Sequence, residues 1–165
     1  MWTIIKYKSQ ELQTAKKNLI SEFEEKPIFY LPKIKYQKVI NKKIRNYEKN
    51  ILENYMICFH KNFSDAKFIV RLKNLKGISY FLNGYQNNQS DISNFVNNCK
   101  NYEDKDGFLN SKFFDECISD KAKFISGPFT DMIFQILKRQ KNKLEILIGN
   151  KKATVSIDKN MYCPV

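Results

Sequence analysis

The C-terminal stretch sets the tightest limit on how this chain can fold. After ISGPFTDM (Ile125 to Met132), the segments MIFQILKRQ, KLEILIG and ATVSID are short runs rich in apolar and β-branched residues, joined by polar turns at Gln140 to Asn142 and Gly149 to Lys151. That pattern reads as strands and turns. About forty residues of this kind can make only a small barrel, stabilised by closing its own edges. FQILKRQKNKLEIL also admits a helix, because Phe134, Leu137, Lys141 and Leu144 share helical spacing. The strands that follow favour the barrel.

Ahead of this β-rich end, the sign of the charge reverses. Between Glu103 and Asp120, six acidic residues outnumber Lys105 and Lys112, in a chain that otherwise carries 29 Lys+Arg against 17 Asp+Glu and a formal net charge of +12. Such a shift marks a linker over 103–120, with a first domain over 1–102 and the barrel over 121–165. A chain of 165 residues, 42% hydrophobic, can bury one sizeable core and a small satellite. The excess of positive charge points to nucleic acid or another acidic surface as a partner.

Within the first domain, Trp2 to Tyr7 reads as a strand, with Ser9 as N-cap of a helix whose apolar positions Leu12, Ala15, Leu19 and Phe23 draw one buried stripe, closed by Pro27. Ile28 to Leu31 and Tyr55 to Phe59 read as strands, the second nearly continuous in apolar character and therefore central in its sheet. Between them, Lys33 to Lys49 is a basic segment, either a long hairpin or a mobile loop. A helical turn or two begun by Ser64 or Asp65 precedes GISYFLNGY, a strand bracketed by Gly77 and Gly84. Ser90 is expected to cap a second amphipathic helix with Ile92, Phe95, Val96 and Cys99 on one side.

Catalytic chemistry finds little support in these residues. The single histidine, His60, has no accompanying motif and reads as a packing residue at a strand end rather than a general base. YEDKDGFLNSKF approximates a calcium loop through Asp104, Asp106 and Gly107, yet its first and twelfth ligand positions are Tyr102 and Phe113. Neither a P-loop nor GxGxxG occurs, and the four widely spaced cysteines form no CxxC pair. No metal, cofactor or enzymatic activity is expected. The N-terminus lacks a signal-peptide pattern and no stretch has the length of a membrane span, so a reduced, cytoplasmic setting is expected, in which the N-x-S triplets at Asn62 and Asn88 are not glycan acceptors.

The basic segment KIKYQKVINKKIRNYEK interleaves Lys42, Lys43 and Arg45 with Tyr36 and Tyr47. Cations next to aromatic rings suit phosphate contact with base stacking, and equally describe a solvated lysine-rich hairpin.

The order of the pieces resembles the NusG family of transcription elongation factors, which includes specialised paralogues such as RfaH. Trp2 and the following helix resemble that family's opening strand and helix. ENYMICF resembles its Phe-Pro-Gly/Asn-Tyr strand start, KGISYFLNG its Gly-Val strand, and Ser126 to Phe129 the Gly-Pro-Phe corner that opens its C-terminal domain. The resemblance covers nearly the whole chain. It implies an α+β fold: an N-terminal NGN-type α/β sandwich, an antiparallel sheet with flanking helices, followed by a small SH3-like KOW β-barrel.

It also implies a monomeric bacterial protein, without enzymatic activity, that binds the clamp helices of RNA polymerase, contacts upstream or non-template DNA of the transcription bubble, and suppresses pausing. The KOW domain would recruit termination factor Rho or a ribosomal protein of the small subunit. By position, Leu52, Tyr55 and Ile57 correspond to the polymerase contact, with ordinary sheet core as their other reading. Lys8 and Lys76 stand where DNA-facing basic residues occur. Leu52 and Glu53 depart from the Phe-Pro pair, Phe134 replaces an expected glycine, and Asn18 and Ser21 replace the polar residues with which RfaH reads its DNA element. A free-standing basic nucleic-acid-binding module that does not engage polymerase is the competing expectation.

Overall fold

The computed structural model describes residues 1–40, 43–110, 112–115, 121–140, 142–157 and 162–165. The architecture is α+β, in two compact units: Met1–Pro32 with Asn50–Asn101, and Lys33–Lys49 with Tyr102–Val165.

The first unit is built on a four-stranded antiparallel sheet of β1 (Trp2–Tyr7), β2 (Ile28–Tyr30), β5 (Tyr55–Phe59) and β6 (Ile78–Phe81), in the order β2-β5-β1-β6. β5 is central, as its continuous apolar character requires, and it pairs with β1 through Ile4↔Ile57, Ile5↔Met56 and Lys6↔Tyr55. Alternation sends Ile5 and Tyr7 into the core with Met56 and Cys58. Helix α1 (Leu12–Ile20) presents Ala15 and Leu19 to this core, and α2 (Ala66–Leu72) presents Ile69 and Leu72. Asp65 caps α2 by accepting from the Lys67 amide at 2.8 Å.

Both serine caps expected from the sequence are corrected. Helix α1 starts after Glu11 with no side-chain cap bond, because Gln10 takes a φ of 65° and turns the chain later than Ser9. Helix α3 (Gln89–Asn101) already includes Ser90. Its start is held by Gln89, whose amide bonds both backbone groups of Trp2 at 2.7 Å. Helix α1 also ends at Ile20, so Pro27 introduces β2 rather than closing the helix.

The second unit contains a five-stranded antiparallel sheet, with β7 (Lys121–Phe124), β8 (Ile133–Gln140), β9 (Lys143–Ile148), β10 (Lys151–Ser156) and β11 (Tyr162–Pro164) in the order β10-β9-β8-β7-β11. Phe134 and Leu144, which also fitted a helix, lie in β8 and β9 and are buried with Phe124, Ile146 and Tyr162. Phe124 and Phe134 stack at 4.2 Å. Ahead of β8 the Gly-Pro-Phe corner turns on Gly127 (φ 82°) and Asp131 (φ 69°), and Asp131 returns its amide to Phe124 O at 2.9 Å.

The basic segment is a hairpin of β3 (Lys33–Ile40) and β4 (Lys43–Asn50). The sequence boundary placed it in the first domain; in the structure residues 33–49 belong to the second unit. Backbone bonds explain the change: Leu109 N donates to Lys33 O at 2.8 Å and Gln37 N to Ile125 O at 2.7 Å. Lys35 adds an ion pair with Asp106 at 2.7 Å. The acidic stretch expected as linker is partly folded, with Phe108, Leu109, Phe113 and Phe114 buried and a short helix α4 (Lys112–Asp115).

Candidate partner-docking groove and basic surfaces

The sheet of the first unit has a second face, opposite α1 and α2, and that face is only partly covered. Trp2, Ile4 and Lys6 of β1 alternate away from the core, and register places Ile57 beside Ile4 and both Tyr55 and Tyr80 beside Lys6. Anchored by Gln89 to Trp2, α3 lies against this face and leaves an open apolar groove of about 470 Å³. The strands contribute Ile4, Tyr55 and Ile57, the flanking loops Leu52 and Leu82, and α3 Asp91, Ile92 and Phe95.

Leu52, Tyr55 and Ile57 are thus brought together, but with different jobs. Ile57 is 1% exposed and forms the groove floor while belonging to the core. Tyr55 stands at the rim, where its hydroxyl meets that of Tyr80 at 2.7 Å. That hydrogen bond, with burial second, raises the Tyr55 pKa above the usual phenol value. Lys6 lies against both rings, its Nζ 5.3 Å from the Tyr55 centroid and 5.4 Å from that of Tyr80, within cation–π range.

Leu52 is positioned by the turn before β5. Asn50 Oδ1 accepts from the Leu52 amide at 3.1 Å, and Asn50 Nδ2 donates to the carbonyls of Glu53 and Tyr55 at 2.8 Å. Glu53 adopts a φ of 52°, which a proline ring cannot reach.

The expected nucleic-acid residues fall on two units. Lys8 and Lys76 are exposed in the first and lie close together, because Lys8 N donates to Gly77 O at 2.9 Å. Asn18 Nδ2 holds the Lys76 carbonyl at 2.9 Å, and Ser21 Oγ donates to Asn18 O, so both helix-face polar residues serve local structure. Lys43 and Arg45 are exposed on β4 of the second unit, and Lys42 lies outside the described residues. Tyr36 and Tyr47 stack across the hairpin at 5.5 Å and 25°, and Lys38 Nζ sits 5.7 Å from the Tyr36 ring.

His60 is 5% exposed, packed 4.3 Å from the Phe23 ring, with Nδ1 accepting from the Asn62 amide. In the rejected calcium loop, Asp104 Oδ1 accepts the amides of Asp106 and Phe108. Among the described residues no group of three His, Cys, Asp or Glu is placed to hold a metal, and no helix is long and apolar enough to cross a membrane. Sequence reading missed Lys6, Tyr80, Leu82, Asp91 and the wall formed by Ile92 and Phe95. The available signal was the alternation of β1, which leaves Ile4 and Lys6 on the face opposite Ile5.

No protein-family model matches the chain, and no curated protein matches it. Among solved structures, the chain aligns over its full length with 98% of a chain of the MjSpt4:Spt5 complex in conformation B, at 8% identity and a TM-score of 0.32. It aligns over 97% of its length with 95% of NusG from Thermotoga maritima, at 13% identity and a TM-score of 0.33. At these TM-scores the likeness assigns neither a residue role nor an activity to this chain.

Proposed function

We propose that this chain is a non-enzymatic transcription elongation factor that docks on RNA polymerase through the groove of its first unit. The observation that carries the proposal is an open, apolar depression beside a sheet, with Tyr55 at its rim and a single charged side chain, Asp91, in its lining. Such a surface suits the apolar face of a partner helix, recognised by side chains spaced three and four apart. The family resemblance of WTIIKYKSQELQTAKKNL, ENYMICF and KGISYFLNG supplies the partner: the clamp helices of the polymerase.

On this reading Leu52, Tyr55 and Ile57 form the contact, assisted by Leu82 and Phe95. Lys8 and Lys76, with Lys43 and Arg45 of the hairpin, make sequence-independent phosphate contacts to upstream or non-template DNA. No bond is made or broken. The factor binds the elongating state of the polymerase better than the paused state, and the differential affinity shifts the population. The small β domain takes the place of a KOW module and recruits Rho or a small-subunit ribosomal protein. The factor is a specialised antitermination paralogue of the bacterial cytoplasm, and the Leu52-Glu53 turn gives its pocket a shape of its own.

The test is binding to core RNA polymerase at physiological salt, with an isolated clamp-helix fragment as competitor. Loss of an anchoring aromatic costs about 2 kcal/mol or more, so Tyr55→Ala is expected to weaken binding roughly thirtyfold. A chain that ignores polymerase but binds naked nucleic acid with a steep salt slope overturns the proposal and moves the site to the hairpin.

A further inference from the structure

The charges that border the groove are opposite in sign, Asp91 in its α3 wall and Lys6 beside Tyr55 at its rim. Gln89, the first residue of α3, is fixed to the backbone of Trp2, and Asp91 follows in the first turn of the helix, where it is exposed and lines the groove. Lys6 lies further along β1, held between the rings of Tyr55 and Tyr80. From Trp2 to Lys6 the strand advances roughly 13 Å at its usual rise. Among the described residues, neither Asp91 nor Lys6 forms an ion pair.

We infer that Lys6 and Asp91 select a partner helix that carries an acidic residue at one end of its apolar face and a basic residue at the other. The pair thereby fixes the direction in which that helix lies in the groove. The roughly 13 Å from Trp2, where α3 is anchored, to Lys6 matches the rise of eight or nine helical residues, so the two partner charges are expected about that far apart. Apolar contact supplies affinity and does not distinguish one direction from its reverse; opposite charges at the ends do. This inference rests on the reading of the groove as a helix-docking site.

Each residue also has a local role: Asp91 complements the N-terminus of α3, and Lys6 engages two ring faces. Those roles affect stability but do not sense the charge of a partner, and that difference decides the experiment.

Three labelled amphipathic helical peptides share one apolar face and differ only in the residues flanking it: Glu and Lys, Glu and Glu, or Lys and Lys. They are titrated into the full chain, its Asp91→Lys and Lys6→Glu variants, and the milder Asp91→Asn and Lys6→Gln, with thermal melts confirming that each variant is folded. The wild type is expected to prefer the mixed peptide about threefold over either like-charged one, a preference that fades at high salt. Asp91→Lys is expected to prefer the Glu/Glu peptide and Lys6→Glu the Lys/Lys peptide, while the neutral variants lose discrimination at one end. Equal affinity of the wild type for all three, an order unchanged in the variants, or no binding of any peptide overturns the inference.

Core polymerase, with Tyr55→Ala as control, is titrated in parallel. Polymerase binding that depends on Tyr55, together with a flat peptide ranking, removes the charge selection and leaves the proposed function standing. A switching peptide ranking without polymerase binding upholds the charge selection and removes the proposed function.

Discussion

Replacing Gly77 by alanine tests the joint on which the first unit turns. Gly77 precedes β6 with a φ of +91°, and a Cβ built there would stand 2.7 Å from the backbone N of Ala15, 3.0 Å from its Cα and 3.1 Å from its Cβ. The obstacle is helix backbone, with Ala15 fully buried, so no flexible side chain can move aside. A left-handed φ in a non-glycine residue costs about 1–2 kcal/mol. Overpacking against a closed core adds about 1–3 kcal/mol, for a total of about 2–5 kcal/mol. Gly84 isolates the first contribution, since its φ is +79° but the nearest obstacle is the end of the Asn88 side chain at 3.6 Å. Gly84→Ala should therefore lose only about 1–2 kcal/mol.

The assay is urea unfolding followed by Trp2, the sole tryptophan, whose ring packs edge-on to Phe59 at 5.0 Å in the first unit. Its fluorescence reports this sheet. Midpoints converted with a shared m-value give the two losses. A Gly77→Ala loss no larger than that of Gly84→Ala would refute the close approach of β6 to α1. The same joint sets Lys8 beside Lys76, through Lys8 N and Gly77 O, so a folded Gly77→Ala variant should also bind DNA more weakly.

Phe134→Ala removes half of the Phe124 stack from a small, fully buried cluster and should cost about 3–5 kcal/mol, read as loss of amide-exchange protection across β7, β8 and β9. Gln37→Ala deletes the acceptor of the Gly127 amide at 3.3 Å and the donor to Asn46 Oδ1 at 3.2 Å. Exchange at Gly127 is expected to speed up while that at Met56 is unchanged. Burial pushes the Cys58 thiol pKa well above its usual value, so the folded chain holds that proton where the unfolded chain releases it. Its contribution is complete below about pH 8.5 and declines as pH rises above it. Urea midpoints from pH 7 to 10 should fall in the wild type and flatten in Cys58→Ala.

What could be read from the sequence was mostly local. Tyr55 to Phe59 announced a central strand through its nearly continuous apolar character, and Ser64 and Asp65 announced a helix start between them, of which Asp65 provides the cap. β7 and β11 were missed, the first because KAKF adjoins the acidic stretch, the second because three residues containing a proline give no period to detect. Attachment of the hairpin to residues 103–110 was not legible either. It runs through Lys33 O and Leu109 N, and a backbone bond leaves no mark on residue type. The groove was half legible: Tyr55 and Ile57 share one strand, but Lys6, Tyr80 and Asp91 join them only through register and helix placement.

That mixture decides which residues can report on function. Ile57 touches the groove and the core at once, so its truncation lowers stability and binding together and cannot separate them. Leu82, 39% exposed, follows β6 and ties its amide to Ile4 O at 2.8 Å. Its backbone holds the sheet while its side chain faces the groove, as does that of Tyr55 at the rim. An antiparallel sheet can leave one face to solvent, yet here Ile4 of β1 and Leu82 just after β6 meet Phe95 of α3 on that face instead of polar residues. Ile4 and Phe95 also pack against the core, whereas Leu82 stands outside that cluster, so folding of the first unit does not require Leu82 to be apolar. Leu82→Asn should therefore leave the melting temperature nearly unchanged while weakening the partner, whereas Ile57→Ala lowers both.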